Sequence, residues 1–520
     1  MNAFLQRFGH FVVGVLHGFD RLRFRGSKRQ LCHVSGMSSW LGAMHILLKD
    51  FKPWAKDTTV SLCQRIEKTA EEAGLYRYLN NCQDSKEETA LQMAAEQKRT
   101  EGLIAVLGCV EPCQVIQVRG NPQTKKLELR VELAKCKHYY HYYLDARYGL
   151  RYTRLQSWFP FTMHIGLNGR DWLAKQLDRA GIDYRKKDNC FPWIEDFAAA
   201  QKLADRQLTT DWPGLLTRWA RQSNPLEKTL LKCPVPYYWS VETAEYASDF
   251  AFTNASDLAR LYPLLVQHAI TTLHGTDLLR FMGYRVRQDG LPREDFAGEA
   301  TTRIKELVEG ICVKHHVLEN LLKMYDKFGV VLRLENLLRN VRDFKVYRTL
   351  ENDPDGPMAN RRMRKGVADL HPRAGVSRKI NERYAASLAT VEESTPLGEL
   401  AADLGKRQKW QGRSVRALNP LAPADVALLE AVSRGEFLMS GFRNRDLRTI
   451  LYGDAKAQDA ATAKSRQGKV TRLLRLLRAH GVITKIAKTH RYQLTDKGRN
   501  ALSALLAARK ANTKQLLQAA

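Results

Sequence analysis

The chain has 520 residues, 83 Lys plus Arg against 55 Asp plus Glu, a formal net charge of +28 and 44% hydrophobic residues. Such a length exceeds one core, and 19 Tyr, 18 Phe and 9 Trp exclude a mostly disordered chain. Positive charge on this scale repels itself unless a polyanion neutralises it, so nucleic acid is the first candidate partner and an anionic membrane surface the second.

Nine cysteines are scattered, and none forms a Cys-x-x-Cys pair, which fits a reducing cytoplasm rather than a disulfide framework. Cys109 and Cys113 are four apart and Cys136 lies a hairpin away, so a zinc site can be drawn; buried core cysteines are the favoured reading. At the N-terminus, Met1 to Phe19 reads as a first helix packed into the body. Its apolar run Phe11 to Leu16 is too short for a membrane span, and no membrane partner is expected.

Residues 1–113 read as an α/β region. Leu22 to Gly26 looks like a strand, Thr59 to Ala73 and Ser85 to Gln97 like helices, and Leu103 to Leu107 like a buried strand. Residues 114–351 form a mixed sheet and helix body. Val115 to Val118 and Leu127 to Leu133 flank a turn at 121–126, and Lys137 to Asp145 is a strand by its aromatic content. Arg170 to Ala180 is an amphipathic helix, and 191–280 is mainly helical with one strand at Tyr237 to Val241. Thr301 to Glu309 reads as a helix. His315 to Tyr325 and Val330 to Leu337 then read as two strands.

Residues 352–422 read as a basic linker region with short helices, and 423–520 as a terminal domain. In that domain Ala424 to Arg434, a helix starting at Arg443, and Ser465 to His480 precede a hairpin of Val482 to Ile486 and Arg491 to Leu494. From Ala460 to Leu494 there are nine Lys or Arg and no Asp or Glu. Val470, Leu473, Leu474 and Leu477 make an apolar stripe on the third helix, which leaves Arg466, Lys469 and Arg472 for phosphates and bases. Arg445 and Arg448 precede it, and Lys485, Lys488, His490 and Arg491 belong to the hairpin and its tip. This long basic helix with a basic hairpin resembles the winged helix-turn-helix of regulators and of transposon or plasmid proteins. The resemblance implies docking on double-stranded DNA. The fold class expected is therefore α+β and multi-domain, a mixed α/β and antiparallel-sheet body followed by a C-terminal winged helix.

In the body, Lys323-Met324-Tyr325-Asp326-Lys327 followed by Val331-Leu332-Arg333-Leu334-Glu335 resembles a hairpin of rolling-circle replication initiators of phages and plasmids. That resemblance implies a divalent metal on sheet carboxylates and a tyrosine that attacks a DNA phosphate. It points to Glu335 with Tyr325 or Tyr347 as catalytic residues. Glu242, Glu245 and Asp249, which follow the Tyr237 to Val241 strand, are the metal ligands expected, and hard oxygen donors suit Mg or Mn. The plainer alternative is that Glu335 pairs with a nearby cation and Tyr325 is a half-buried sheet residue.

Two further constellations stand beside this one. His141, Tyr143 and Asp145 share a strand face, and the tyrosine ladder with Lys137, Arg147, Arg151 and Arg154 suits stacking of unpaired bases in single-stranded DNA or RNA. Asp145, Asp249 and Glu335 also make a transposase-like acidic triad on paper. No Gly-x-x-x-x-Gly-Lys-Ser/Thr loop is present, so no nucleotide cofactor is expected. The reading is a cytoplasmic nucleic-acid-binding protein of a mobile or plasmid-like element, replication-initiator-like or transposase-like, acting as a metal-dependent DNA nickase or strand transferase. The alternative is a non-catalytic DNA- or RNA-binding regulator, or a partner of a structured RNA.

Overall fold

The computed structural model describes residues 2–81, 83–226, 235–284, 286, 300–307, 310–350, 353, 355–391, 397–453, 460–486 and 489–510. It is an α+β chain that divides into two units, one of residues 14–251 and 335–378, the other of 1–13, 252–334 and 379–520.

The first unit is built on long strands: β1 (Val12–Ser27), β2 (Tyr76–Tyr78), β3 (Gly102–Gly120), β4 (Leu127–Asp145), β5 (Gly149–Gln156), β6 (Met163–Asn168), the hairpin of β7 (Tyr184–Lys187) and β8 (Cys190–Ile194), and β9 (Tyr238–Phe252). They hydrogen-bond in the order β9-β1-β6-β5-β4-β3-β2. Pairs β1–β6, β6–β5, β5–β4 and β4–β3 are antiparallel, and only the short β2 runs parallel to β3. The β3–β4 hairpin turns where Asn121 Oδ1 accepts from the Gln123 amide, as an Asx turn does.

One face of this sheet carries the core. Phe24, Tyr139, Leu155 and Ile165 meet Leu62 and Ile66 of helix Leu48–Glu72, Leu173 of Gly169–Ala180 and Trp219 of Trp212–Ser223. Burial of side chains this large, each contributing about 1.5–3 kcal/mol, fixes which face each strand turns inward. On the other face helix Lys86–Glu96 packs mainly on β3 and β4, through Ala90, Met93 and Ala94 against Leu107 and Tyr142, with Leu150 and Tyr152 of β5 at the edge of the same cluster. The remainder of that face is polar.

Strand alternation is broken at two places that matter. Phe19 and Leu22 of β1 both join the core, and so do Val241 and Ala244 of β9. Residues three apart cannot share a face of a regular strand, so each strand carries an extra residue there, which is how a bulge re-aims side chains. Asp20 and Arg21 lie inside the first break, Glu242 inside the second, and Glu245 sits between core residues Ala244 and Tyr246.

The second unit contains β10 (Ala300–Leu307), β11 (Gly310–Val317), β12 (Asn320–Lys327) and most of β13 (Val331–Leu337), in that order. Residues 335–337 of β13 count with the first unit. Its C-terminal part has helices Pro423–Val432, Gly435–Ser440, Asn444–Tyr452 and Ala460–Ala479, the hairpin Ile483–Lys485 with Tyr492–Leu494, and helix Asp496–Lys510. Leu429, Leu447, Val470, Leu474, Leu477 and Leu494 form one core there.

Several expectations from sequence are corrected. Of the helix expected over Met1 to Phe19, Asn2–Phe8 is α-helical and Gly9–Phe11 a single 3-10 turn, because Val12, Val13 and Val15 enter β1, where β-branched side chains fit better than in a helix. Over the described part of the helix expected at Thr301 to Glu309, Ala300–Leu307 is a strand that pairs residue for residue with β11, and pairing overrides a weak helical pattern; 308–309 lie outside the described residues. His315 to Tyr325 is two strands, with Leu318 at φ 54° in the turn between them. The Tyr237 to Val241 strand runs on to Phe252, so the acids expected after it lie within it. Helix Leu370–Leu388 begins inside the stretch whose composition reads as linker. No helix among the described residues is long and apolar enough to cross a membrane.

Candidate functional site

The polar face of the first unit brings three carboxylates together. Asp20 on β1, Glu245 on β9 and Glu335 on β13 each place an oxygen within 4.8 Å of the other two. Asp20 and Glu335 are buried and Glu245 is half-buried. The three strands are neighbours in the sheet, and the bulges of β1 and β9 turn the first two acids to the same side. Asn189, in the turn between β7 and β8, donates its amide to Asp20 Oδ2 and fixes that carboxylate.

Arg21 is a cation that feels these charges. Burial acts to lower its pKa, but the charges of Asp20, Glu245, Glu87 and Glu335 outweigh burial and raise it. Glu87, in the first turn of Lys86–Glu96, is thus a fourth acid within reach of the same guanidinium. Three carboxylate oxygens within 4.8 Å of one another can close onto the edges of about 3–4 Å that surround one Mg2+ or Mn2+ with bonds of about 2.1 Å. The donors are all hard oxygens, which is the set those ions prefer.

Of the ligands expected from sequence, only Glu245 belongs to this cluster. Glu242 instead accepts from Arg23 Nε at 2.7 Å and His164 Nδ1 at 2.8 Å. Burial acts to raise the Glu242 pKa, yet His164 and Arg23 outweigh it and hold it at about 2. His164 is itself lowered by burial, so at neutral pH it serves as a neutral hydrogen-bond donor and Arg23 supplies the charge. Asp249 is closed off in another way. It pairs with Arg170 at 2.8 Å, with the two side chains 3% and 1% exposed. Buried charge of that kind persists only when paired, so Asp249 is committed to Arg170. His17 stands nearby with Nδ1 3.0 Å from Ser248 Oγ, and burial lowers its pKa to about 3.

The expected catalytic residues separate likewise. Glu335 is in the cluster. Tyr347, on the hairpin of Lys345–Arg348 with Ala359–Arg362, is 64% exposed. Tyr325 is a buried β12 residue opposite Cys312, in the other unit. Sequence patterning missed Asp20, whose one signal was being the single acid of strand β1, and Tyr152. The Tyr152 ring lies across Gly166, where a Cβ would come within 2.2 Å of Cε1. Gly166 pairs with both Tyr152 and Arg23, so the missing side chain lets the phenol reach across β6 and hydrogen-bond Arg23.

The other constellations are structural. Asp145 accepts from the backbone amides of Arg147 and Tyr148 and from Arg151, capping a turn. Arg151 sits 3.9 Å from the Tyr143 ring centroid and 4.6 Å from that of Trp219. His141 is buried, and burial lowers its pKa to about 4. Tyr139, Tyr140 and Tyr142 are buried too, so the ladder does not offer exposed rings to bases. Asp145 and Asp249 being so engaged, the paper triad of Asp145, Asp249 and Glu335 is not assembled.

In the terminal domain the cations expected to meet DNA are outside its core. Arg445, Lys469, Arg472, Lys485 and His490 are exposed, and Arg448, Arg466 and Arg491 are half-buried. Arg466 donates to the Tyr452 carbonyl at 2.9 Å and lies over its ring, which fixes one end of the long helix. Lys488 lies outside the described residues. Compared with protein-family models, curated proteins and solved structures, the chain matches none of them.

Proposed function

We propose that this chain is a nucleic-acid-binding protein of a mobile or plasmid-like element, replication-initiator-like or transposase-like, that nicks a DNA strand with a divalent metal. The observation that carries this reading is the convergence of Asp20, Glu245 and Glu335 on adjacent strands of a protein with a +28 charge. Bound there, Mg2+ or Mn2+ would polarise a phosphate oxygen and stabilise the charge that develops on it. Asp20, Glu245 and Glu335 would hold the ion, and Asn189 orients Asp20. Arg21, between these acids and Glu87, is placed to bind a neighbouring phosphate once the ion takes over its carboxylates.

The C-terminal domain is proposed as a winged helix-turn-helix that finds duplex DNA. Support comes from the helix Asn444–Tyr452, the long helix Ala460–Ala479 and the hairpin that follows it, with Lys469 and Arg472 exposed on the long helix. The free thiols among the described cysteines suit the proposed reducing cytoplasm. A non-catalytic DNA- or RNA-binding protein is the second reading. What favours it is Arg21 itself, which already offsets the carboxylates without any metal.

The deciding experiment is nicking of a supercoiled plasmid carrying the element's own origin or end sequence. The enzyme reading expects cutting that requires Mg2+ or Mn2+ and is lost in Asp20→Asn and Glu335→Gln while DNA binding persists. A covalent protein–DNA adduct would identify a tyrosine nucleophile, with Tyr347→Phe, Tyr152→Phe and Tyr325→Phe locating it. Binding with no cut under either metal leaves the second reading.

A further inference from the structure

A second constellation lies on the polar face of the same unit, away from the acids and of opposite chemistry. Cys113 of β3 and Cys136 of β4 bring their sulfurs to 2.8 Å, and His138 of β4 has Nδ1 3.9 Å from Cys136 Sγ. Antiparallel register explains the meeting. Cys136 stands opposite Glu111 and His138 opposite Cys109, so Cys113, two residues on from Glu111, is the diagonal neighbour of Cys136 on the same face. Cys113 and His138 are buried, and Cys136 is half-buried, which leaves a route from solvent.

We infer that Cys113, Cys136 and His138 form a binding site for a thiophilic divalent cation, Zn2+ above all, that clamps the long β3–β4 hairpin. Two thiols and an imidazole are the donor set that selects such ions over Mg2+ or Mn2+. Around a tetrahedral zinc, with bonds of about 2.3 Å to sulfur and 2.0–2.1 Å to nitrogen, sulfur and nitrogen stand roughly 3.6 Å apart and two sulfurs roughly 3.8 Å. The 3.9 Å between His138 Nδ1 and Cys136 Sγ is already near that value. The sulfurs must open by about 1 Å, a side-chain adjustment, and a proton now shared between them gives way to the ion.

The surroundings agree. Glu111, the acid on this face, does not compete: Arg154 at 2.8 Å, Lys86 at 3.3 Å and the Tyr140 hydroxyl at 2.9 Å all hold it. Cys109 donates to Glu111 at 3.4 Å and stays outside the site. His138 is fully buried, and its Nε2 finds no partner among the described residues while Nδ1 lies 3.1 Å from the Cys136 carbonyl. Ligation through Nδ1, the nitrogen nearest Cys136 Sγ, exchanges its hydrogen bond to the Cys136 carbonyl for the ion and leaves the ring proton on Nε2. Three protein donors leave the fourth position to water.

The test is a titration of the reduced, chelator-treated full chain with Co2+. Expected are thiolate-to-cobalt charge-transfer absorption, tetrahedral visible bands, release of protons on binding, and displacement by one equivalent of Zn2+. Cys113→Ser and Cys136→Ser should each abolish the charge-transfer band, and His138→Gln should weaken binding about 10–100-fold. A parallel measurement needs no variant: Zn2+ should protect Cys113 and Cys136 of the native chain from alkylation, mapped by mass spectrometry, and leave Cys32 and Cys63 unprotected. No charge-transfer band, a band that survives both cysteine variants, or alkylation indifferent to Zn2+ overturns the inference. Carboxylate-bound Co2+ gives no thiolate band, so this result is independent of whether the acidic cluster binds a metal.

Discussion

The acidic cluster makes a prediction in which stability and cation dependence move in opposite directions. The perturbation is Glu335→Gln, which removes one charge and keeps the shape. Two carboxylates at the 4.8 Å limit within which these oxygens lie repel by about 3–4 kcal/mol at an effective dielectric of 20, and Arg21 offsets part of that. Without divalent ions the variant should therefore melt at or above the wild-type temperature. With Mg2+ at 100 times its dissociation constant, binding to the folded wild type contributes about 2.7 kcal/mol. For a unit of roughly 280 residues, at about 2.1 cal/mol/K of unfolding entropy each, this is a rise of about 4–5 °C. The assay is scanning fluorimetry of both proteins across a Mg2+ or Mn2+ series at constant ionic strength. An equal rise in Glu335→Gln, or a variant that melts lower without metal and still responds to it, refutes the assignment of these carboxylates as ligands.

Three other predictions follow from different parts of the molecule. Asp249→Asn strands Arg170 in the core and should cost about 3–5 kcal/mol, read as a lower urea midpoint; a loss under 1 kcal/mol would mean that the pair is not a buried charge pair. The double change Lys469→Ala and Arg472→Ala should weaken binding to duplex DNA of any sequence and reduce the slope of log affinity against log salt by about 1.8; an unchanged slope would place DNA elsewhere. Burial holds His17 at about 3 and His138, His141 and His315 at about 4, so all four are neutral in the folded state. Their unfolded counterparts take up protons near pH 6.5, so the unfolded state binds more protons below that pH. Their contribution is complete above pH 6.5 and is lost as pH falls through 6.5 toward 4, and toward 3 for His17. A melting temperature flat from pH 7 to 4.5 would contradict this.

Local signals were legible where one segment decides its own structure. The Asx turn at Asn121, the N-capped helix after Ser85 and the amphipathic helix after Asn168 all depend on residues a few positions apart. The terminal domain was legible for the same reason: Val470, Leu474 and Leu477 lie at helical spacing, and that spacing leaves Lys469 and Arg472 outside. By contrast, Ala300–Leu307 carried a weak helical pattern and became a strand because β11 offers it a complete ladder.

The candidate site was the least legible part. Period-two reasoning on β9 cannot place Glu242, Glu245 and Asp249, because the break between Val241 and Ala244 resets the faces. All three acids then meet different partners from β1, β6, β13 and the helix Gly169–Ala180. Asp20 and Glu335 are more than 300 positions apart, and only strand order makes them neighbours.

The sequence by itself determined the sign and size of the charge, the α+β class and the basic face of the terminal helix, since composition and short-range periodicity are properties of the chain alone. Tertiary structure decided which acids meet, which are spent on Arg23, His164 and Arg170, and which thiols approach each other. Those outcomes depend on strand order and on where each strand gains an extra residue, and both are set by packing against the shared core rather than by any neighbouring residue in the chain.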